Sequence, residues 1–296
     1  MQLKKLLHSD GLFDAVVTVI IILITLVILY PLYFVVIASI SDPSLVTSGQ
    51  VILIPKGLNV DGYKFILRDH RILTGYGNTI FYTVFGTVLA LVITIPAGYA
   101  LSRKDLPFRN LLMMFVLFTK FFSGGLIPTY LVVNRLGLVN TRYVLIILGA
   151  FSVFNLILCR TFFVNTLPDE LREAAEVDGC GTFRFFMQIV LPLSSSIIAI
   201  MVLYYAVSYW NSFFNALIYV SDNKYYPLQM IMRDILITGQ SLQADITDPE
   251  AYEEMLRIAQ SIRYGIIIVS SLPVLMLYPF VQKHFVKGVM IGSLKG

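Results

Sequence analysis

Six apolar stretches dominate the chain, and each reaches or approaches the length of about 20 residues that a helix needs to cross the hydrocarbon core of a membrane. The predicted spans cover residues 13–40, 79–101, 111–133, 143–163, 193–220 and 264–281. Only 14% of the residues are charged and the mean hydropathy is +0.79, whereas a soluble domain has about 25% charged residues. The sequence therefore argues against a water-soluble enzyme and predicts an all-α integral membrane protein with six transmembrane helices.

Basic residues near the chain ends and in one short connector bear on the orientation. The N-terminal segment MQLKKLLHSD precedes an apolar stretch that is too long for a signal-peptide core, which predicts a retained first span. Six spans place both termini on one side. Because the connector SRKDLPFR holds three basic residues and the segment KHFVKG is basic too, both termini are predicted to be cytoplasmic. The segments 41–77 and 221–262 then lie outside, as solvated loops or as a docking surface for an external partner.

A polar connector, TLPDELREAAEVDGCGTFRFFMQIVLPL, joins the fourth and fifth predicted spans. Thr166, with Asp169 three residues later and Pro168 between them, predicts the start of a helix. Positions i, i+3, i+4 and i+7 of this helix share one face. The residues at those positions are Leu171, Ala174, Ala175 and Asp178. Two alanines on one face predict a shallow surface that allows close approach.

The same connector carries signals for a turn and a second helix. Gly179 and Gly181 are expected to end the first helix, and Thr182 is expected to cap a second one that runs to Pro192. The pattern predicts a helix–turn–helix that projects from the membrane. By spacing alone it is equally consistent with an amphipathic surface hairpin that has no partner.

The residues of this connector resemble the EAA signature of ABC importer permeases. That signature reads E-A-A, two residues, D-G, and then F, I and L-P at fixed positions. The matching residues are Glu173, Ala174, Ala175, Asp178, Gly179, Phe186, Ile189, Leu191 and Pro192. Cys180 stands where a small residue, usually alanine, is expected. The resemblance implies a type I ABC importer permease fold, with six spans of which the second to the sixth form the core.

Two further stretches resemble maltose-type carbohydrate permeases. The segment FVKGVMIGSLKG is similar to their C-terminal end, and FFSGGLIPTYLVVNRLGLVNT resembles their LplC/YtcP group, which is associated with complex and often acidic oligosaccharides. The expected organisation is an N-terminal segment with the first span and an outer loop (1–73), a permease core (74–281) with the hairpin at 166–192, and a cytoplasmic tail (282–296).

The resemblance also implies the partners and the place of the protein. These are a second homologous permease, two cytoplasmic ATPases and an extracellular sugar-binding lipoprotein, in the plasma membrane of a bacterium. The implied substrate is an oligosaccharide, and an acidic one is a candidate.

The sequence lacks a G-x-x-x-x-G-K-[ST] loop, so hydrolysis of ATP in the P-loop manner is expected from a partner. The resemblance places ATP and Mg²⁺ on the ATPase subunits and implies no cofactor for this chain. It also implies that the first hairpin helix sits in a groove of the ATPase. The residues implied in this coupling are Glu173, Ala174, Ala175, Asp178 and Gly179, and those of the tail implied to reach the ATPase are Gly288, Gly292 and Lys295.

Lys120 lies inside the third predicted span, where a lysine costs about 2.5–3.5 kcal/mol on insertion scales. One interpretation is that Lys120 lines the translocation path and attracts a polar or acidic sugar. The other is that it pairs with a backbone carbonyl or with a carboxylate of a partner subunit. The residues that follow, Ser123-Gly124-Gly125 and Pro128, are expected to open the helix locally.

The fifth predicted span carries polar side chains at roughly helical spacing. They are Tyr205, Ser208, Asn211, Ser212 and Asn215. Aromatic rings and amides suit a sugar, whose faces are apolar and whose edges are polar. The alternative is that these side chains pack and hydrogen-bond between helices. The candidates for the translocation path are therefore Lys120, Tyr205, Ser208, Asn211 and Asn215.

Three other functions fit parts of the pattern. A permease for a non-sugar solute would keep the hairpin but lack the sugar-type tail, and a secondary transporter would act without an ATPase. A membrane enzyme for lipid-linked sugars would need clustered charged residues at a span end. The three histidines and two cysteines are isolated, so neither a catalytic nor a metal site is predicted. The net charge of +4 gives no indication of nucleic-acid binding.

Overall fold

The computed structural model describes residues 3–241, 257 and 259–276, and within them the chain is helical and has no β-strand. The α-helices are α1 (Leu3–Ser39), α2 (Pro43–Thr47), α3 (Asp61–Arg68), α4 (His70–Ser102), α5 (Arg109–Phe121), α6 (Leu126–Arg135), α7 (Arg142–Leu148), α8 (Val153–Thr166), α9 (Asp169–Val177), α10 (Thr182–Phe185), α11 (Leu191–Leu193), α12 (Ser195–Trp210), α13 (Phe214–Tyr219), α14 (Leu228–Ser241) and α15 (Ala259–Met276). A π-helix covers Phe186–Val190, and a 3₁₀-helix covers Asn223–Tyr225. The predicted all-α class is confirmed.

These helices provide up to six candidate membrane spans. Three helices, α1, α4 and α15, are long and apolar enough to cross alone. Three more candidates are pairs bent at a short break: α5 with α6 at 112°, α7 with α8 at 47°, and the segment Thr182–Leu193 with α12 at 79°. A helix of 13 residues such as α5 is only about 20 Å long, so it does not by itself cross a hydrocarbon core of about 30 Å.

Three of the predicted spans, those placed at residues 111–133, 143–163 and 193–220, are each divided by a break in the helix. The expected local opening after Lys120 is present, because α5 ends at Phe121 and α6 begins at Leu126. In the fifth span, α12 ends at Trp210, and the Asn211 amide donates a hydrogen bond back to the Val207 carbonyl oxygen over 2.9 Å. An average of hydropathy over many residues does not reveal such breaks, because the residues on both sides of each break are apolar.

The described residues fall into two compact units. The N-terminal unit lies within residues 1–69 and 234–271, and the core unit lies within residues 70–233 and 272–296. In the N-terminal unit, Ile37 and Ala38 at the end of α1 pack with Val46 and Val51. The apolar window of α1 is only 6% buried. Its exposed apolar surface therefore requires lipid or another subunit around it.

The core unit is built on α4, which packs against α8 and α12 through small residues. Gly86 faces the Tyr209 ring so closely that a Cβ at this position would lie 2.3 Å from the Cζ atom of that ring. The Tyr209 hydroxyl donates to the Ile146 carbonyl oxygen over 2.7 Å, and the hydroxyls of Thr94 and Tyr205 are 2.6 Å apart. Close backbone approach and buried polar pairs of this kind hold helices together in membranes.

A polar clasp closes one end of the core unit, and we define it by Asn78, Tyr82 and Asn140 with the chain segment 219–226. The Asn140 side-chain oxygen accepts from the backbone N–H groups of Ser221 and Asp222 over 3.1 and 2.9 Å. Asn78 donates to two carbonyl oxygens of the segment, and Tyr82 donates to a third over 2.8 Å. The segment that follows α13 is thereby fixed to the start of α4.

Candidate coupling hairpin and translocation residues

The first helix of the hairpin, α9, begins after a proline. Pro168 is its N-cap with an extended backbone (φ −68°, ψ 148°), and Asp169 and Glu170 lie in the first turn, where the helix dipole favours carboxylates. The prediction that Thr166 starts this helix is wrong, because Thr166 is the last residue of α8. Since a residue before proline avoids the helical region, Leu167 is extended and separates α8 from α9.

The turn of the hairpin has the geometry of a Schellman motif. Gly179 has φ +75°, in the left-handed region that favours glycine. Its N–H donates to the Glu176 carbonyl oxygen over 3.0 Å, and the Cys180 N–H donates to the Ala175 carbonyl oxygen over 2.8 Å. Cys180 is half-buried and packs against the core cluster. The position therefore favours a small side chain, and cysteine meets this requirement. The predicted end of the helix at Gly179 is confirmed.

The two faces of α9 differ from the predicted arrangement. Leu171 and Ala175 point inward, against a cluster that contains Tyr99, Phe163 and Phe185, and Ala175 is 8% exposed. By contrast, Ala174, Asp178 and Glu173 are exposed. The expectation that all four residues of the predicted face, Leu171, Ala174, Ala175 and Asp178, act as one surface is therefore wrong. Ala174 is about 100° from Ala175 around the helix and lies beside the inward face, and Asp178 is the C-cap at the exposed end of α9.

The outward face of the hairpin combines carboxylates with apolar side chains. Five carboxylates and one arginine lie between residues 169 and 178. Among the described residues, Glu170, Glu173 and Asp178 are exposed and have no ion pair. Beside them Val177 is 88% exposed and Phe183 is 77% exposed. A surface of this kind suits a partner groove that is basic at its rim and apolar inside.

The second arm of the hairpin leads back into the fifth span. It begins with α10 at Thr182, and its N-cap is Gly181, so the prediction of a Thr182 side-chain cap is wrong. After Phe185 the helix widens into the π-helix at Phe186–Val190 and continues as α11 before the 79° bend into α12. Phe185 is 5% exposed and fixes this arm to the core cluster.

Ion pairs fix the base of the hairpin. The Nζ atom of Lys104, in the connector after α4, is 2.8 Å from the Asp169 Oδ2 atom, and Arg172 pairs with Glu176 over 2.7 Å within α9. The hydrogen bond between Lys104 and Asp169 raises the pKa of Lys104 and lowers the pKa of Asp169. Arg103 donates to Asp105 over 2.9 Å and holds the pKa of that carboxyl at about 2. Sequence reasoning used Lys104 only for orientation and missed its contact with α9.

The structure places Lys120 in the last turn of α5, with an exposed side chain. Each residue of α5 is exposed or half-buried in the single chain. Gly125, at the start of α6, has φ +86° and ψ 179°, a region that is essentially restricted to glycine. The 112° bend between α5 and α6 therefore depends on this glycine, and it leaves Lys120 beside the open carbonyl groups at the end of α5.

The candidates on the fifth span do not form one stripe. Tyr205 is 2% exposed, and its hydroxyl contacts Thr94 inside the core unit. Ser208 and Asn211 are exposed at the end of α12, whereas Asn215 belongs to α13 beyond the break. The role of these residues in a translocation path stays a prediction. The tail residues Gly288, Gly292 and Lys295 lie outside the described residues.

A helical membrane bundle that carries this hairpin between its fourth and fifth spans defines a permease subunit of an ABC importer. The chain belongs to the family of binding-protein-dependent transport system inner membrane components, whose model matches residues 72–291. The predicted membership of the importer permeases is thus confirmed, and the protein is a multi-pass component of a bacterial inner membrane.

Individual relatives support the same class. The chain is 39% identical to the polygalacturonan/rhamnogalacturonan transport system permease YtcP of Bacillus subtilis, over 97% of this chain and 100% of the relative. It is 40% identical to the protein LplC of the same organism, over 90% and 89% of the two chains. A crystal structure of a bacterial ABC transporter involved in the import of the acidic polysaccharide alginate matches with a TM-score of 0.82 and 32% identity, over 94% of this chain and 98% of that chain. The predicted resemblance to the LplC/YtcP group is confirmed.

Proposed function

We propose that this chain is the permease subunit of an ATP-driven importer for acidic oligosaccharides, with its hairpin docked on a cytoplasmic ATPase. The observation that carries the coupling role is the two-faced α9. Ala175 fixes the helix to the core, while Glu173, Ala174 and Val177 remain exposed on the other side. A rigid helix with a free acidic face can move with a partner groove and transmit that movement to α12.

The partners that complete this importer are a second homologous permease, two ATPase subunits and an extracellular sugar-binding lipoprotein. ATP and Mg²⁺ bind to the ATPases, and this chain carries no cofactor. In this arrangement both termini and the hairpin are cytoplasmic, and the polar clasp is external. The proposed contacts with the ATPase pair include Gly288, Gly292 and Lys295 of the C-terminal tail, which lie outside the described residues.

The composition of the complex can be tested by purification in a mild detergent. The tagged chain is expected to recover a second permease and an ATPase with a P-loop, and Glu173→Lys is expected to lose the ATPase but keep the second permease. Asn165→Lys, at an exposed position in the last turn of α8, is the matched control and should keep both. A stable single chain without an ATPase, which transports in liposomes, would contradict the coupling role.

The acidic substrate is supported by relatives that import polygalacturonan, rhamnogalacturonan and alginate. Lys120 is a residue whose charge suits such a substrate, since it lies in a span, beside a break, with its side chain exposed. Uptake of galacturonate oligosaccharides is expected to exceed uptake of neutral arabino-oligosaccharides of equal length.

Lys120→Met separates the two roles of this lysine. If Lys120 faces the path, the variant loses uptake of the acidic sugar and retains uptake of a neutral one. Equal loss of both substrates would assign Lys120 a structural role, and preference of the unmodified importer for the neutral sugar would overturn the proposed substrate class.

A further inference from the structure

The segment that follows α1, residues 41–59, leaves the end of this helix and returns to it; we call this segment the excursion. The Asp42 N–H donates to the Lys56 carbonyl oxygen over 3.0 Å, and the Asn59 N–H donates to the Ile40 carbonyl oxygen over 2.9 Å. Between these ties lie α2 and a bend-containing segment, residues 51–54. The excursion is therefore fixed at both ends to the C-terminal end of α1.

Part of this excursion runs back along α1. The Tyr30 hydroxyl donates to the Ile52 carbonyl oxygen over 3.3 Å, and the Tyr33 hydroxyl donates to the Leu53 carbonyl oxygen over 2.5 Å. At a rise of about 1.5 Å per residue, the two tyrosines lie about 14 and 9 Å before the end of the helix at Ser39. Both carbonyl groups therefore lie beside the body of α1 and not at its C-terminal end.

The side chains of residues 52–54 are exposed in the single chain. Val51 is 2% exposed and packs into the small cluster at the end of α1, whereas the next three residues are 56%, 62% and 71% exposed. They are Ile52, Leu53 and Ile54. Three consecutive exposed aliphatic residues in water would be unusual, and here they adjoin the exposed apolar surface of α1, where Leu32 is 63% exposed.

We propose that Ile52–Ile54 inserts into lipid at the membrane boundary beside α1, with Tyr30 and Tyr33 supplying hydrogen bonds that water cannot supply there. Lipid-exposed irregular backbone does not occur within the hydrocarbon region, so the segment lies at the boundary, where the two hydroxyls bond two of its carbonyl groups. Tyrosines are typical of the membrane interface. The exposed Lys56 follows after Pro55 and can extend its ammonium group toward the lipid phosphates.

The length of α1 agrees with this placement. Its candidate membrane span covers the 27 residues Phe13–Ser39, which corresponds to about 40 Å of helix. A hydrocarbon core of about 30 Å leaves about 10 Å for the two interfaces together, so Tyr33, about 9 Å before Ser39, lies at or just inside the boundary and not in bulk water. The occupant of the surface is lipid, since the patch continues the face of α1 whose apolar window is only 6% buried.

A depth measurement on the intact importer in nanodiscs tests this inference. Cys180, which is half-buried, is replaced by alanine, while Cys159 is buried and stays. An environment-sensitive NBD label is placed at Ile54→Cys, at the exposed Ser48→Cys in the same excursion as the water control, and at Val27→Cys in α1 as the lipid control. We expect doxyl-labelled lipids to quench residues 54 and 27, and iodide to quench residue 48 several-fold more than residue 54.

Two results would overturn the inference. Quenching of residue 54 by iodide as strong as at residue 48 would place the segment in water, and protection from both quenchers would mean that another subunit covers it. The variant Tyr33→Phe adds a second criterion, because loss of this donor matters only for a carbonyl group in lipid. The variant is expected to raise iodide quenching at residue 54 several-fold and to leave quenching at residue 48 unchanged. Unchanged quenching at residue 54 would refute the role of the hydroxyl.

Discussion

The Nζ atom of Lys104 lies 2.8 Å from the Oδ2 atom of Asp169 and links the connector after α4 to the first turn of α9. The two residues are 65 positions apart in the chain. Because α4 forms the centre of the core unit and ends at Ser102, two residues before Lys104, this ion pair ties the base of the coupling hairpin to the end of the helix against which α8 and α12 pack.

Reversing the charge of Lys104 tests this link. Lys104→Glu is expected to lower uptake per ATP hydrolysed, and a second change, Asp169→Lys, is expected to restore it partly. Lys224→Glu is the matched control, because Lys224 forms an equally short pair with Asp222 at the polar clasp. Uptake and ATPase activity of the reconstituted importer provide the measurement, and equal effects of both reversals would contradict a specific role at the hairpin.

The pH dependence of the same pair follows from the directions of the two pKa shifts. The lowered pKa of Asp169 means that its contribution is present above the ordinary carboxyl range and lost as the pH falls through the lowered value. The raised pKa of Lys104 means that its contribution is present below the ordinary lysine range and lost as the pH rises through the raised value. The stability difference between the unmodified protein and Lys104→Met should therefore be constant from about pH 5 to about pH 9. Thermal unfolding across this range checks it, and a slope near pH 7 would be inconsistent with it.

The adjacent alanines of the hairpin predict opposite effects of the same substitution. Ala175→Leu is expected to destabilise the permease itself by about 1–3 kcal/mol, because a larger side chain must enter a packed cluster. Ala174→Leu should leave the thermal stability of the permease unchanged and weaken its association with the ATPase. Unfolding temperature and co-purification of the ATPase separate the two, and equal loss of stability in both variants would disprove the two-faced helix.

Much of the hairpin could be predicted from the sequence because its signals are local. Glycine is one of the few residue types that adopt φ +75° at low cost, so Gly179 itself determines where α9 ends. The inward face was not predictable in the same way. Spacing groups Leu171 with both alanines, and the choice between them depends on Tyr99 and Phe163, which belong to α4 and α8.

The spans show the same division between local and distant causes. Hydropathy located six apolar regions, since each residue contributes independently. The breaks near Gly125 and Asn211 depend on single backbone conformations that an average over many residues does not register. Tyr205 resembled part of a polar stripe, but its partner is Thr94, 111 positions away, and only the packing of α4 on α12 brings the two hydroxyls together.

Gly179→Ala tests the turn of the hairpin. A side chain at φ +75° costs about 1–2 kcal/mol, so the variant is expected to distort the Schellman turn and reduce transport at normal expression. Gly181→Ala is the matched control, because Gly181 has φ −68° and open space around its Cα atom. Uptake assays in cells with equal membrane levels of the two variants should separate them, and normal uptake by Gly179→Ala would refute the requirement.

Asn140 predicts a separable effect at the polar clasp. It has φ +58°, and its side-chain oxygen accepts two backbone N–H groups. Asn140→Ala is expected to cost about 2 kcal/mol, from lost hydrogen bonds and backbone strain together, whereas Asn140→Gly removes the strain and should cost about 1 kcal/mol. Thermal unfolding of the purified complex measures both. A loss for glycine equal to that for alanine would show that the strain contributes nothing.

The π-helix at Phe186–Val190 has a consequence for the direction in which the hairpin faces. A π-turn contains one residue more than the α-helix around it, and one residue corresponds to about 100° of rotation about a helix axis. The length of this five-residue segment therefore determines the direction in which Glu173 and Ala174 face, as a rotation about the axis of the second arm. Two permeases with identical hairpins but a single-residue difference here would present those side chains to different sides of the transporter, so compatibility with a given ATPase is determined partly by residue count and not only by residue type.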